Sequence, residues 1–262
     1  MSAGVSGSGA LRAINQVFPE HIPDATDGQL LDWYAVPDGD RPWVRFNFVS
    51  SLDGAATYEG RAGGLGDVVD QHVFTLLRRQ ADVILVGAGT VRAEGYAGPL
   101  LSEEDLAWRA GRGLPAHPAI AVVSGSLDLD PAGGFFAQAP VRPVLLTSAR
   151  AGAARRQALS EVADVIDVGT GSAEPARIVE ALAGRGWHSI HSEGGPVLFG
   201  AFQAAGLVDE LCLTLSPVLA GGTGKRIADG GPEQTLQGME LVHILESAGM
   251  LLLRYKAARP GS

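Results

Sequence analysis

The sequence predicts an α/β fold built on one mainly parallel sheet, and three observations carry the prediction. Short apolar runs alternate with segments of helical periodicity, the pattern of a sheet covered on both faces. Corners of small residues, Ser51-Leu-Asp-Gly54, Gly87-Ala-Gly-Thr90, Ser124-Gly125 and Glu193-Gly-Gly-Pro196, follow four of those runs. Two apolar runs flanking Ser247-Ala-Gly249 close the chain as an antiparallel hairpin.

Taken in order, Met1 to Ala10 reads as a flexible tail and 11–42 as an irregular arm with one short helix. Thr26 and Gln29 have capping-box spacing ahead of Leu30, Leu31, Trp33 and Tyr34, and Pro37, Gly39 and Pro42 end the signal. A single domain is expected over 43–258. Its first strand, 43–50, sets Val44, Phe46 and Phe48 on one face and Arg45, Asn47 and Val49 on the other. Val69, Val73, Phe74, Leu76 and Leu77 predict a helix over 67–80. Buried strands are expected at 82–87, 119–124, 143–147 and 164–168, then a helix at 174–184 and a strand ending near Ser192. A helix at 195–205 and a long strand at 209–216 lead to the hairpin arms, 241–246 and 250–255. The longest connection is 95–117, and connections of that length are commonly functional or mobile.

Bulk properties narrow the function. The chain of 262 residues carries a net charge of −9 and no dense Lys/Arg patch, which argues against extended nucleic-acid binding. No apolar stretch approaches the roughly 20 residues that span a bilayer, and the N-terminus lacks the pattern of a secretory signal. The one cysteine, Cys212, permits no internal disulfide and lies in an apolar run, as a buried structural thiol in a reducing cytoplasm would. His21, His72, His117, His188, His191 and His243 show no metal-ligand spacing.

The chemistry is expected where the corners gather, since ligands of open α/β sheets bind at the carboxyl ends of strands. The diglycine after Glu193 exposes N–H groups at a helix start, an anion site with an acid beside it. Gly87, Gly89 and Thr90 allow close approach of a phosphate without matching the dinucleotide fingerprint. Arg92 reads either as a surface arginine or as a partner for a 2′-phosphate, favouring NADP over NAD. Asp53 reads as a turn residue. Asp67 and Glu193 each admit two readings, a structural one (for Asp67, a helix cap) and a proton-transferring acid facing the substrate.

Together these segments resemble the reductase domain of the riboflavin-biosynthesis deaminase–reductase family, a relative of dihydrofolate reductase. The matching strings are Asn47-Phe-Val-Ser-Ser-Leu-Asp-Gly54 with Thr57, Ala81 to Val91, Glu193-Gly-Gly-Pro-Val-Leu198, Ala205 to Leu211, and Gly221-Gly222, in the family's order. Gly89-Thr-Val-Arg-Ala-Glu-Gly-Tyr96 is similar to stand-alone actinobacterial members. The resemblance implies a dihydrofolate-reductase-like fold, a homodimer, and hydride transfer from NADPH to a small heterocyclic substrate. In riboflavin members that substrate is 5-amino-6-(5-phosphoribosylamino)uracil. It implies cofactor contacts at Ala55, Thr57, Gly87, Gly89, Thr90, Val91, Arg92, Ser124, Gly194, Gly195, Pro196 and Leu198. Asn47, Ser51 and Asp67 would bind substrate, with Asp67 and Glu193 as the catalytic acids. Two departures stand out: Asn47 replaces the family's lysine, and Glu94-Gly-Tyr96 replaces an Asp-Asp-Pro string. They leave dihydrofolate reduction and a non-catalytic NADPH-binding module as alternatives. With one cysteine, the sequence holds no zinc-deaminase pattern.

Overall fold

The computed structural model describes residues 11–37, 39, 41–230 and 236–258. The tail expected over 1–10 lies outside the described residues. In chain order the elements are β1 (Asn15–Phe18), α1 (Asp27–Trp33), β2 (Trp43–Ser51), α2 (Val68–Arg79), β3 (Val83–Gly87), α3 (Ala88–Glu94), α4 (Glu103–Ala110), β4 (Ala119–Val123) and α5 (Gly134–Ala137). They continue with β5 (Val144–Thr147), α6 (Ala153–Ser160), β6 (Asp164–Asp167), α7 (Pro175–Ala183), β7 (Ser189–Ser192), α8 (Pro196–Ala204), β8 (Glu210–Ser216), β9 (Met239–Ser247) and β10 (Met250–Ala257).

The strands form one sheet in the order β1-β9-β10-β8-β2-β7-β3-β4-β5-β6. From β8 to β6 every neighbouring pair is parallel, and β10, β9 and β1 add an antiparallel flank. The alternation read in β2 sorts its two faces. Val44, Phe46 and Phe48 pack under α7 and α8 with Ile178, Leu182, Phe199 and Phe202. On the opposite face, α1 and α2 press Leu30, Leu31, Val69, Val73, Leu76 and Leu77 onto Cys212, Leu245 and Leu252. Helices therefore cover both faces, which is what strands apolar on both sides require. The hairpin turns on Ala248 and Gly249, both at positive φ.

The arm expected over 11–42 is irregular only in part. Asn15–Phe18 pairs with β9 at the sheet edge, and α1 carries the capping box read at Thr26 and Gln29. A four-residue strand is too short to show alternation, and its partner lies more than two hundred residues away. The 95–117 connection is likewise ordered. Its helix α4 has a Ser102–Asp105 capping box, and Asp105 pairs with Arg79 at 2.5 Å. The fully buried Arg109 donates to the carbonyls of Arg79, Ala81 and Pro115. The connection is a brace on the last turn of α2.

Candidate active site

The glycine corners meet at the carboxyl edge of the sheet. The Gly87 N–H donates to the Gly194 carbonyl at 2.7 Å, so the ends of β3 and β7 lie against each other. Gly194 has φ +82°, and a Cβ there would sit 2.7 Å from the Phe48 ring; a Cβ on Gly195 would sit 2.9 Å from Thr90 Oγ1. The Phe48 ring and the Thr90 hydroxyl thus take the space that side chains at 194 and 195 would fill. Gly195 starts α8 with no side-chain cap and Pro196 in its first turn, leaving the positive end of the helix dipole open. Gly87 starts α3, which carries Gly89, Thr90, Val91 and Arg92, also without a side-chain cap. Ser124, at the end of β4, is buried.

Arg92 and Arg155 both address the 126–128 segment beyond Ser124. Arg92 Nη1 donates to the Asp128 carbonyl at 2.9 Å. Arg155 donates to the Ser126 carbonyl at 3.1 Å and pairs with the Asp128 carboxylate at 3.3 Å. Ala55 and Thr57 lie under a different segment, since the Ala56 N–H donates to the Lys225 carbonyl and a Cβ on Gly224 would meet Ala55 at 2.7 Å.

Asp53 takes the turn role expected of it. It accepts from Ser51 Oγ at 2.5 Å and from the Ala220 and Gly221 N–H groups, and these bonds bring its carboxyl down to about 2. The Ser51 hydroxyl is consumed in that turn, because it also accepts from the Ala55 N–H at 2.9 Å. Ser51 therefore locks the turn through both of these bonds.

On the α2 face of the sheet the polar residues converge differently from the expectation. Asp67 is the N-cap of α2, with Oδ1 accepting from the Val69 and Asp70 N–H groups at 2.8 and 3.1 Å. This is the capping role, one of the two readings the sequence allows. Asp70, one turn into the helix, is buried and hydrogen-bonded to Thr214 of β8. A Cβ on Gly66 would come within 2.4 Å of its Oδ2, so a larger residue there would displace the carboxylate. Burial, opposed by the Thr214 bond and assisted by the Asp67 charge, brings its carboxyl up to about 6.

Glu193 stands as a hydrogen-bond acceptor. Both oxygens are engaged: Arg78 donates to them at 2.6 and 2.8 Å, and the Tyr96 hydroxyl donates to Oε2 at 2.6 Å. Burial would raise this carboxyl, but the Arg78 charge and bonds, the neighbouring His191 and the Tyr96 hydroxyl hold it below its usual range. Beneath it His191 is buried with neither ring nitrogen hydrogen-bonded, and burial drops its pKa to about 4, leaving it neutral at neutral pH.

Asn47 is the one residue of β2 that is not buried. Phe46 pairs with Ser192, the last residue of β7, so Asn47 lies level with Glu193 just beyond that strand, and on its other side it pairs with Cys212. Two residues on, Val49 pairs with Thr214, the partner of Asp70. Asn47, Glu193 and the Asp70–Thr214 pair thus occupy one face of three neighbouring strands, close to the glycine corner. A separate cleft of about 530 Å³ lies across α2, lined by Asp27, His72, Thr75, Arg79, Leu101 and Ser102. It contains none of the glycine corners.

The family model described as the RibD C-terminal domain matches residues 42–253. A 2,5-diamino-6-ribosylamino-4(3H)-pyrimidinone 5′-phosphate reductase of Archaeoglobus fulgidus is 28% identical over 183 residues, 70% of this chain and 83% of that protein. The riboflavin biosynthesis protein RibD of Mycobacterium tuberculosis is 27% identical over 87% of this chain and 59% of its own length. A crystal structure of a pyrimidine reductase-like protein from Corynebacterium diphtheriae superposes with a TM-score of 0.80 at 28% identity, covering 90% of this chain and all of that one.

Proposed function

Because the chain belongs to the RibD C-terminal domain family, we propose that it is an NADPH-dependent reductase of a pyrimidine carrying a 5-phosphoribosylamino group, converting the ribosyl group to ribityl. The observation that carries the reading is the placement, at the carboxyl ends of neighbouring parallel strands, of a glycine corner after β7 and of a buried carboxyl near neutrality held by Thr214 of β8. The corner fits a dinucleotide phosphate, since it offers close backbone approach and an uncapped helix start. NADPH supplies the hydride when bound, and the chain's own groups bind, orient and protonate. Gly87, Gly89, Thr90, Val91, Gly194, Gly195, Pro196 and Leu198 form the cofactor wall, with Ser124 beyond them and Ala55 and Thr57 at the end of β2. Asp70 holds the transferable proton, oriented by Thr214. Asn47 offers a donor and an acceptor to the substrate. Glu193, neutralised by Arg78, positions its neighbours and gives up no proton.

Incubating the purified protein with NADPH and each ribosylaminopyrimidine 5′-phosphate, in parallel with dihydrofolate, tests this. Loss of nicotinamide absorbance with a pyrimidine and a product two mass units heavier is the expected result. Activity on dihydrofolate alone would reassign the substrate, and tight NADPH binding with no turnover would make the chain a binding module. Arg92 and Arg155 are assigned to the 2′-phosphate. Arg92→Ala should raise KM for NADPH roughly tenfold, the scale of one lost charge-assisted bond, and leave KM for NADH unchanged. An equal change with both coenzymes would remove the assignment.

The reductase is assigned to the cytoplasm as a homodimer, with residues 43–258 as its reductase domain. Among the described residues no helix is long and apolar enough to cross a membrane. The face of the sheet away from α2 carries the cross-strand pairs Leu211–Tyr255, Leu213–Leu253 and Leu215–Leu251, all half-buried, with Leu219 exposed nearby. Such a patch suits an isologous contact. Sedimentation at the monomer mass would overturn it.

A further inference from the structure

We propose that Tyr96 is a positioning residue of the reaction, its hydroxyl fixing the Arg78–Glu193 pair and tying the substrate side of the site to the cofactor turn. The inference rests on the reductase reading for its catalytic consequence and on geometry for its core. Tyr96 is buried, and its phenol reaches Glu193 Oε2 at 2.6 Å, the oxygen that also accepts from Arg78 Nη2. Its ring borders the Arg78 guanidinium at 5.8 Å, while Phe74 lies under the same guanidinium at 4.2 Å. Arg78 is thereby held by two rings and a carboxylate, and it cannot change rotamer without breaking several contacts.

The placement of Tyr96 gives this cluster a second connection. It follows Gly95, the positive-φ residue that ends α3, and α3 begins at the Gly87 corner assigned to the cofactor. One seven-residue helix therefore joins that corner to Glu193, and the Gly87–Gly194 hydrogen bond joins them again through β7. From the other end, the 95–117 brace anchors Tyr96 to α2 through Asp105 and Arg109. A shift of the corner on cofactor binding reaches Glu193 from both sides.

The charged and titratable groups around Glu193 come from four elements: Arg78 of α2, Tyr96 after α3, His191 of β7 at 3.8 Å, and Arg45 of β2, which faces His191. Glu94 stands near the phenol. Removing the Tyr96 hydroxyl deletes one of the three hydrogen bonds that favour the ionised carboxylate and leaves the rings in place.

Tyr96→Phe is the test. Turnover should fall on the order of tenfold, as for one lost bond to a charged group, with NADPH affinity within about twofold of wild type. Independently of any substrate, the carbon-13 carboxyl resonance of Glu193, assigned with Glu193→Gln, should titrate at higher pH in Tyr96→Phe. It should also respond less to added NADPH. An unchanged Glu193 titration would overturn the proposal, as would equal losses of turnover, NADPH affinity and melting temperature. If the wild-type protein turns over no pyrimidine, the reductase reading fails, and the Glu193 titration still decides the role of Tyr96.

Discussion

Asp70→Asn is expected to lower turnover by roughly a hundredfold or more, the usual scale for a positioned general acid, while making the protein more stable at neutral pH. The two effects share one cause. The buried Asp70 carboxyl titrates near 6, above the usual carboxylate value, because burial disfavours its charge. The folded protein therefore binds a proton more tightly than the unfolded chain does. Stability contributed by this group is full below about pH 4 and is lost as pH rises through 6. At pH 7 the burial of the charge costs about 3 kcal/mol, which the asparagine variant recovers while keeping a hydrogen bond to Thr214. The stabilisation should be visible by denaturant unfolding at pH 7 and vanish near pH 4. Wild-type turnover should decline as pH rises past 6, when the proton is gone. Asp67→Ala makes the control: it removes a cap worth about 1 kcal/mol and should keep turnover. If Asp67→Ala were the inactive variant and Asp70→Asn fully active, the acid would be Asp67 after all.

That contrast also marks how far the sequence can be read. Asp67 caps α2 and Asp70 lies in its first turn, where either carboxylate favours the helix dipole. Asp67 reads from sequence as a cap or as the acid. Asp70 is buried because of phase: it lies three residues before Val73 and seven before Leu77, on the stripe that packs against the sheet. That signal was available, as was the i, i+4 relation of Phe74 and Arg78 and the alternation that sets His191 beside Glu193. The partners were not available. Thr214 and Tyr96 reach Asp70 and Glu193 through sheet order and a long connection, and neither is fixed by local pattern. The parallel strands, the faces of β2 and the glycine corners were legible because each depends on a short apolar run or a steric limit. The β1 strand and the brace at 95–117 depend on distant partners, including a buried arginine whose bonds go to backbone carbonyls.

Glu210→Gln should produce the largest loss of stability. Glu210 has no exposed surface and stands between two arginines, accepting from Arg45 Nε at 2.7 Å and from Arg254 Nε and Nη2 at 2.8 and 3.0 Å, with Trp43 Nε1 at 2.8 Å. The same guanidinia donate onward to the carbonyls of Trp33, Tyr34 and Ala35, closing the C-terminal end of α1. One carboxylate thus fastens the N-terminal helix to β2, β8 and β10. Burial alone would raise its carboxyl, but the Arg45 and Arg254 charges more than offset this and hold it at about 2. The amide variant leaves two buried guanidinia without a counter-charge, which costs about 3–5 kcal/mol and lowers Tm on the order of 10 °C in a chain of this size. Because the folded value is depressed, the wild-type contribution is present above about pH 4.5 and lost as pH falls toward 2. His191 and His243, buried and neutral, add acid sensitivity of their own below pH 6.5, so the diagnostic quantity is the difference between variant and wild type. That difference should shrink as pH falls below 4.5, and amide exchange at Leu30 and Leu31 should accelerate before that of β2. A variant as stable as wild type at pH 7 would mean that the arginines find other partners and that α1 is held by its apolar face alone.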